Sequence, residues 1–535
     1  MSPVDPFAVT NQPPPRGALP LWDDDPLLRS LVPTDHPAPR HLAEQLGRSD
    51  TVTDGQRLAT GSGPVLERFD TGGRRIDTII YPEAYHRLMT LGLEAGYAAL
   101  PWTEARPGSH AAHAAMVYLA SQIEPGTCCP MTMTYAALPV LRRHDGLAAE
   151  LTRLASIPAY DPADVPFGQK SAATVGMAMT EKQGGSDVRA NRTIAEPANG
   201  VYRLTGHKWF CSAPMSDAFL TLAQGPEGLS CFLVPRRLPD GTLNAIHLMR
   251  LKAKLGNRAN ASAEIEYHGA YAEPLGAPGD GVRTILEMVH HTRLDTAVAP
   301  AGLMRRALIG ALYWTRHRKT FGKTLIDQPL MASVLADLTL EWLGALTLAM
   351  RVATAFDDQE TEFARLAVAL AKYWNNKRCP LVTAEAMEAL GGMGYIEDTP
   401  MPWLYREAPL NAIWEGSGNI IALDVMRTIA RSPGAIKALM AELNGARGMH
   451  TAFDSALASL KTTLAHPFDE SQARRVTETM ALLLQASLLL RGPTSIAGEI
   501  FAATRLGDDW GHTLGTLPSG ADAAAIIALA SDQSA

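Results

Sequence analysis

Between residues 41 and 155 apolar positions recur at intervals of three and four, as in Tyr85-His-Arg-Leu-Met-Thr-Leu-Gly-Leu-Glu-Ala95 and again over 111–122. That spacing gathers them on one helix face. Pro130 and Pro139 punctuate the helical run. Near Met177 the rhythm changes. Residues 200–206, 218–223, 229–234 and 263–267 are short runs of strand formers separated by Gly, Pro and Asp. They predict a small antiparallel barrel or sandwich over 177–280. Long amphipathic helices then return at about 281–319, 328–356, 361–390 and 417–431, broken at Phe321-Gly322, Asp357-Asp358 and Gly391-Gly392. This reads as a four-helix bundle over 281–435. Residues 436–535 are rich in Ala and Leu and predict a further helical domain, with 480–491 as its most apolar helix. Residues 1–45 are rich in Pro and Asp and read as an extended arm, free or laid over a neighbouring subunit, ahead of a helical domain over 46–176. The fold class expected is mainly α with a central β-domain.

Composition narrows the function classes. A chain of 535 residues with 46% hydrophobic and 19% charged content can bury a sizeable core. A formal charge of −7 argues against bulk affinity for nucleic acid and leaves room for a local basic patch. Cys128, Cys129, Cys211, Cys231 and Cys379 form neither a disulfide framework nor a zinc pattern, so no metal is expected and a reducing cytoplasm suits them. Cys128-Cys129, beside Met131 and Met133, is expected to be buried packing. No basic start with a following apolar run marks a secretory signal. No charge-free apolar run is read as long enough to span a bilayer, the longest candidate being 480–490. A cytoplasmic protein without membrane contact is expected.

The candidate chemistry centres on Ala178-Met-Thr-Glu-Lys-Gln-Gly-Gly-Ser-Asp-Val-Arg-Ala190. Adjacent glycines let backbone approach a ligand, and Thr180 and Ser186 offer hydroxyls. Taken alone this is equally a decorated surface turn. The whole stretch resembles the first signature of the acyl-CoA dehydrogenase family, and its wording is most similar to the AidB branch, the flavoproteins of the bacterial alkylation response. The resemblance implies a helical domain, a β-barrel and a four-helix bundle with a C-terminal helical extension, non-covalent FAD, and a homotetramer. It implies that Met177, Met179, Thr180, Gly185 and Ser186 contact FAD, with Ser186 also beside the CoA of an acyl-CoA.

Further motifs follow in the family's order. Gly206-His-Lys-Trp-Phe-Cys-Ser212 is similar to Gly-x-Lys-x-Trp-Ile-Thr, so Phe210 stands where the flavin-covering Trp would be, Cys211 follows, and Ser212 replaces the Thr that bonds flavin N5. Arg318-Lys-Thr-Phe321-Gly with Gln328 resembles the Arg-x-x-Phe-Gly…Gln that reaches FAD across a dimer interface. Glu388-Ala-Leu-Gly391-Gly392-Met-Gly-Tyr resembles the second signature, which brings backbone to another subunit's flavin; Trp403 stands where that signature has Lys or Arg. Ile413-Trp414-Glu415-Gly416-Ser417-Gly-Asn419 resembles Tyr-Glu-Gly-Thr, which implies Glu415 as catalytic base and Trp414, Gly416, Ser417 and Asn419 as cofactor contacts. Taken alone, Glu415 is equally an acid favoured at a helix N-terminus. In some relatives the base precedes Arg-Leu; here Thr292 precedes Arg293, and Arg293 is expected to meet substrate. His290-His291 are expected to be structural or to line the pocket.

Three functions compete: α,β-dehydrogenation of a short or branched acyl-CoA, with hydride transfer to flavin N5; DNA association in alkylation defence; and a monooxygenase or oxidase on the same fold. The DNA reading draws on AidB relatives with a basic C-terminal domain. Residues 436–535 carry seven basic and ten acidic side chains, 7 − 10 = −3. Weak double-stranded DNA binding would need Arg427, Arg431, Arg474, Arg475 and Arg491 gathered on one face.

Overall fold

The computed structural model describes residues 5, 7–33, 35–104, 106–467 and 469–531. The first four residues of the expected arm, on which the reading of no secretory signal also rests, and residue 532 of the acidic count lie outside the described residues.

The N-terminal part holds α1 (Pro26–Leu31), α2 (Ala38–Leu46), α3 (Ser49–Thr60), a hairpin of β1 (Val65–Phe69) and β2 (Arg75–Ile80), then α4 (Glu83–Glu94), α5 (Leu100–Thr103), α6 (Ser109–Ser121), α7 (Cys128–Leu141) and α8 (Leu147–Ala155). Three expectations need correction here. The arm is not structureless: it carries α1 and most of α2. Asp25 caps α1 by accepting from the Leu28 amide, and Pro26 opens the helix where its missing N–H costs nothing. The β1–β2 hairpin was read as helix. Asp70 builds its turn by accepting from the Gly72 and Arg74 amides, while Val65-Leu-Glu-Arg-Phe69 shows no clean alternation. Pro130 and Pro139 do not punctuate: both lie within α7, Pro130 in the first turn and Pro139 near the end, where few intrahelical bonds are lost. All five cysteines are free and buried.

The β-domain contains β3 (Val175–Ala178), β4 (Ile194–Ala198), β5 (Val201–Ser212), β6 (Ala218–Gly225), β7 (Gly228–Pro235), β8 (Ile246–Leu251) and β9 (Ser262–Leu275). The ladder runs β6–β4–β5–β9–β7 and returns to β6, closing a barrel, with β3 added to β6 and β8 to β9. Closure leaves few unpaired strand edges. Leu204, Cys211, Phe219, Phe232 and Ile265 fill its interior.

The bundle follows: α9 (Gly281–His317), a short hairpin of β10 (Lys319–Thr320) and β11 (Lys323–Thr324), α10 (Pro329–Asp357), α11 (Thr361–Ala389), α12 (Met401–Glu407) and α13 (Gly418–Arg431). α10 comes nearest to a membrane span among the described helices, although charges interrupt it. Its 29 residues are long and apolar enough to cross a membrane by length and composition, yet most are buried against α6, α9, α11 and neighbouring helices. A helix covered on all sides can be apolar all round. Of its three acids, Asp337 and Glu341 pair with arginines of the C-terminal region and α11, and Asp357 at its end accepts from the His110 and Ala111 amides. The chain ends in α14 (Pro433–Asn444), α15 (Thr451–Leu464), α16 (Ala473–Arg491), α17 (Ser495–Arg505) and α18 (Ala523–Ala528). The observed fold is mainly α around a central β-barrel, as expected.

α9 and α11 run parallel. Asn376 Nδ2 bonds the Thr296 carbonyl, while Arg365 and Arg293, nearer both N-termini, share Asp424. This alignment decides which candidate residues can meet.

Candidate active site

Three segments converge where the barrel meets the N-terminal ends of α9 and α13. The first is the loop after β3. Its Thr180 carbonyl accepts from the Trp209 amide at 2.8 Å, tying loop to strand β5. A Cβ on Gly185 would stand 2.3 Å from Thr180 Oγ1, so only glycine permits this fold-back. Glu181 anchors the loop from beneath. It is 0% exposed and takes Lys208 Nζ at 2.9 Å, Thr193 Oγ1 at 2.7 Å and the Arg192 amide at 2.6 Å. Burial alone would raise its carboxyl, but the Lys208 charge and these donors outweigh burial and hold it at about 2. Met177 is buried, Met179 and Thr180 are half-buried, and Ser186 is exposed.

The second segment is the end of β5. Phe210 is 50% exposed, with Lys252 Nζ 4.8 Å from its ring centre. Ser212 is half-buried, 3.5 Å from Ser262 Oγ. Cys211 points the other way, into the barrel core, so its side chain is not available to a ligand. Alternation along the strand dictates this.

The third segment is the turn before α13. Glu415 and Gly416 both take left-handed backbone, φ +57° and +102°. Such strain in a non-glycine residue persists only when its surroundings enforce it. Here Lys372 Nζ donates to the Asn411 carbonyl at 3.0 Å and to the Gly416 carbonyl at 2.7 Å, and Trp414 Nε1 closes onto Asn411 Oδ1. Thr292 Oγ1 donates to Glu415 Oε2 at 2.7 Å. Burial raises the Glu415 carboxyl, outweighing the Thr292 bond and the charges of Lys372 and Arg293. Burial pushes Lys372 down to about 7, against the pull of Glu415. The Cys129 thiol joins the segments: it has the Ser212 hydroxyl beside it and feels the Glu415 charge.

Other expected residues lie elsewhere. Arg293 binds Asp424 at 2.8 Å and the Glu415 carbonyl at 3.3 Å, so it braces the turn instead of standing free for substrate. Ser417 and Asn419 open α13. Arg318, Phe321 and Gln328 belong to the hairpin after α9, where Gln328 Nε2 bonds Thr320 and Asn11 of the arm bonds Lys319. About 36 Å of helix rise separates Arg293 from the end of α9. Gly391 and Gly392 end α11, about 26 Å of rise from Lys372, with exposed Glu388 one turn earlier. Both groups therefore lie well away from Glu415 along their helices. Trp403, the departure from the second signature, is buried and donates to Gln56 Oε1 at 2.7 Å. His290 stacks on Phe356, and His291 bonds the Glu287 carbonyl; burial pushes them to about 3 and about 4.

Within one chain the five arginines expected to gather, across subunits, for DNA are divided between α13 and α16. Arg491 pairs with Glu442, and Arg474 Nε donates to the Tyr373 hydroxyl at 3.1 Å. About 24 Å of helix rise divides Arg475 from Arg491. Arg427, Arg431 and Arg475 are exposed.

An exposed phenyl ring at Phe210, hydroxyls at Thr180 and Ser212, and a half-buried carboxylate at Glu415 suit a planar ring with a reacting chain laid against it. The comparisons agree. Residues 11–162 match the AidB N-terminal domain, 176–270 the acyl-CoA dehydrogenase middle domain, and 279–430 its C-terminal domain. AidB of Escherichia coli (strain K12), assigned as an acyl-CoA dehydrogenase, is 44% identical over 83% of each chain. Acyl-CoA dehydrogenase family member 11 of Caenorhabditis elegans is 31% identical, over 88% of this chain and 83% of its own. The solved structure of the nematode ACDH-11, in complex with C11-CoA, superposes with a TM-score of 0.82 at 28% identity, over 99% of this chain and 93% of that one. The chain belongs to the acyl-CoA dehydrogenase family, on its AidB branch.

Sequence reasoning missed the work of Glu181, Lys208 and Lys372. Glu181 and Lys208 each stood inside a quoted motif, but their pairing spans 27 residues and no spacing rule reveals it.

Proposed function

We propose that this chain is an FAD-dependent α,β-dehydrogenase of a short or branched acyl-CoA, with Glu415 as the base. What carries the reading is the half-buried Glu415 carboxylate, raised by desolvation, held by Thr292 and near enough to Cys129, the neighbour of Ser212, to influence its thiol. FAD supplies the hydride acceptor when bound. Thr180 offers its hydroxyl to the flavin pyrimidine edge, Ser212 its hydroxyl near N5, and Phe210 covers the ring and excludes water. Glu415 takes the α-proton; its raised pKa makes it a stronger base than an exposed carboxylate. Ser186 serves the CoA end.

Arg318, Gln328, Gly391 and Gly392 complete the cofactor site of a neighbouring subunit in a homotetramer. Support comes from their distance from Glu415 and from Phe321, Leu330 and Tyr395, which are 98%, 85% and 82% exposed at this end of the bundle. Large apolar side chains so exposed mark a surface that expects cover.

The test is anaerobic mixing of the flavin-loaded protein with a panel of acyl-CoAs, followed by the flavin absorption band. Bleaching by short or branched chains is expected. A band untouched by every acyl-CoA would overturn the reading in favour of the monooxygenase or DNA alternatives.

A further inference from the structure

Behind Ser212 three titratable side chains meet that have no part in the chemistry above. Lys254 Nζ donates to the Asn260 carbonyl at 2.5 Å and to Ser262 Oγ at 3.0 Å. Ser262 and Ser212 are register partners on β9 and β5, with their oxygens 3.5 Å apart. Around Lys254 stand Cys129 of α7, Glu407 of α12 and Glu124 from the turn before α7. Glu124 and Glu407 are buried, and each is held by backbone amides: Gly126 and Thr127 for the first, Asn257 for the second. Burial raises both carboxyls to about 7 and lowers Lys254 to about 8, with the two carboxylates and the Cys129 thiol opposing the drop.

The direction of donation follows from chemistry. An ammonium group has three donors and no acceptor. Ser262 Oγ therefore accepts from Lys254, and its own proton is left for Ser212. Once Ser212 Oγ has accepted, its proton is left for a partner other than Ser262, and the flavin ring edge competes for it with the Cys129 sulfur beside it. A neutral amine can accept, and the order of donors can then reverse, leaving Ser212 with a lone pair toward the cleft.

We propose that Lys254, acting through Ser262, is the positioning residue that presents the Ser212 hydroxyl as a donor to the flavin ring edge, with Glu124 and Glu407 setting the charge of Lys254. The proposal rests on the flavin reading above. It gives a role to two acids and a lysine that the barrel has no packing reason to bury together.

The test reads the bound flavin, not turnover. Its absorption spectrum and its reduction equilibrium against a reference dye are followed between about pH 6 and about pH 10. In the wild type both change with a midpoint near 8, the value that the surroundings impose on Lys254. Lys254→Arg keeps the low-pH form throughout, because a guanidinium stays charged. Lys254→Met and Ser262→Ala bind FAD but show the high-pH form throughout, with reduction disfavoured roughly tenfold, the effect of one lost hydrogen bond. Wild-type pH dependence in Lys254→Met, or a Lys254→Arg that behaves like Lys254→Met, would overturn the proposal. Competitive acetylation of the flavin-free chain, read by mass spectrometry, gives the protonation curve of Lys254 directly. Its midpoint is expected well below that of exposed lysines, and lower still in Glu407→Gln or Glu124→Gln, since each removes a negative neighbour. A Lys254 that titrates with the exposed lysines overturns the cluster whether or not flavin binds. A chain that takes up no flavin instead overturns the cofactor reading, and the Ser212 role with it.

Discussion

Lys372 places a buried ammonium group under the Glu415 turn, bonded to two carbonyls and facing the base through space. Its charge lowers the Glu415 pKa, while burial raises it. Lys372→Met removes the lowering charge and loosens two left-handed residues at once. The acidic limb of the pH–rate profile should then move to higher pH. Proton abstraction needs ionised Glu415, so the rate rises with pH through that pKa, and the variant needs more alkaline solution to reach it. A profile unchanged in Lys372→Met would show that the lysine only packs. The motif glycines and Glu415 stood out in the sequence through their resemblance to the family's signatures, since taken alone each reads equally as a turn or a helix N-terminal acid. Lys372 was not, because a lysine in a helix reads as solvated until its carbonyl partners, 39 and 44 residues away, are known. Arg293 was legible as a site residue but not as a brace, since Asp424 lies 131 positions on.

Among the elements, the β3–β4 loop depends most on one interaction. Glu181 and Lys208 are both fully buried and bonded to each other. Lys208→Met strands a carboxylate in the barrel wall and should cost about 3–5 kcal/mol, the cost of breaking a buried ion pair from one side. Chemical denaturation followed by circular dichroism measures this, and a loss under about 1 kcal/mol would place the pair among surface ion pairs. Glu181 has a folded pKa depressed to about 2, below its unfolded value. The stability it contributes is therefore complete above about pH 4.3 and disappears as pH falls toward 2. Element by element, long periodic helices were the easiest to see: the helices observed at 281–317, 329–357, 361–389 and 418–431 lie within two residues of the expected bounds at nearly every end. The β1–β2 hairpin and α1 escaped because local turn and cap chemistry, at Asp70 and Asp25, overrides composition.

At the scale of the molecule, the alignment of α9 with α11 puts Glu415 and Arg318 at opposite ends of the bundle. On the function proposed above, a complete site takes Glu415 from one subunit and Arg318 from its neighbour. Glu415→Gln and Arg318→Ala chains, each inactive alone, should regain activity when refolded together, and no recovery would place each site within one chain. The C-terminal region is acidic on balance and engages Arg474, Arg491 and Arg505 internally, so duplex DNA should bind weakly. Fluorescence anisotropy should show binding at about 50 mM salt that is lost by about 200 mM; tight, salt-insensitive binding would reject an electrostatic origin. The family and the expected sharing of the site between chains were both legible from the order of the motifs, whereas the distance between Arg318 and Glu415 along the bundle needed the fold. The most direct measurement of the central claim is anaerobic flavin reduction by an α-deuterated acyl-CoA, compared between wild type and Glu415→Gln. Slower reduction with deuterium in the wild type and a loss of roughly 10²-fold or more in the variant, with FAD still bound, are predicted. Undiminished reduction in Glu415→Gln would contradict the assignment of the base.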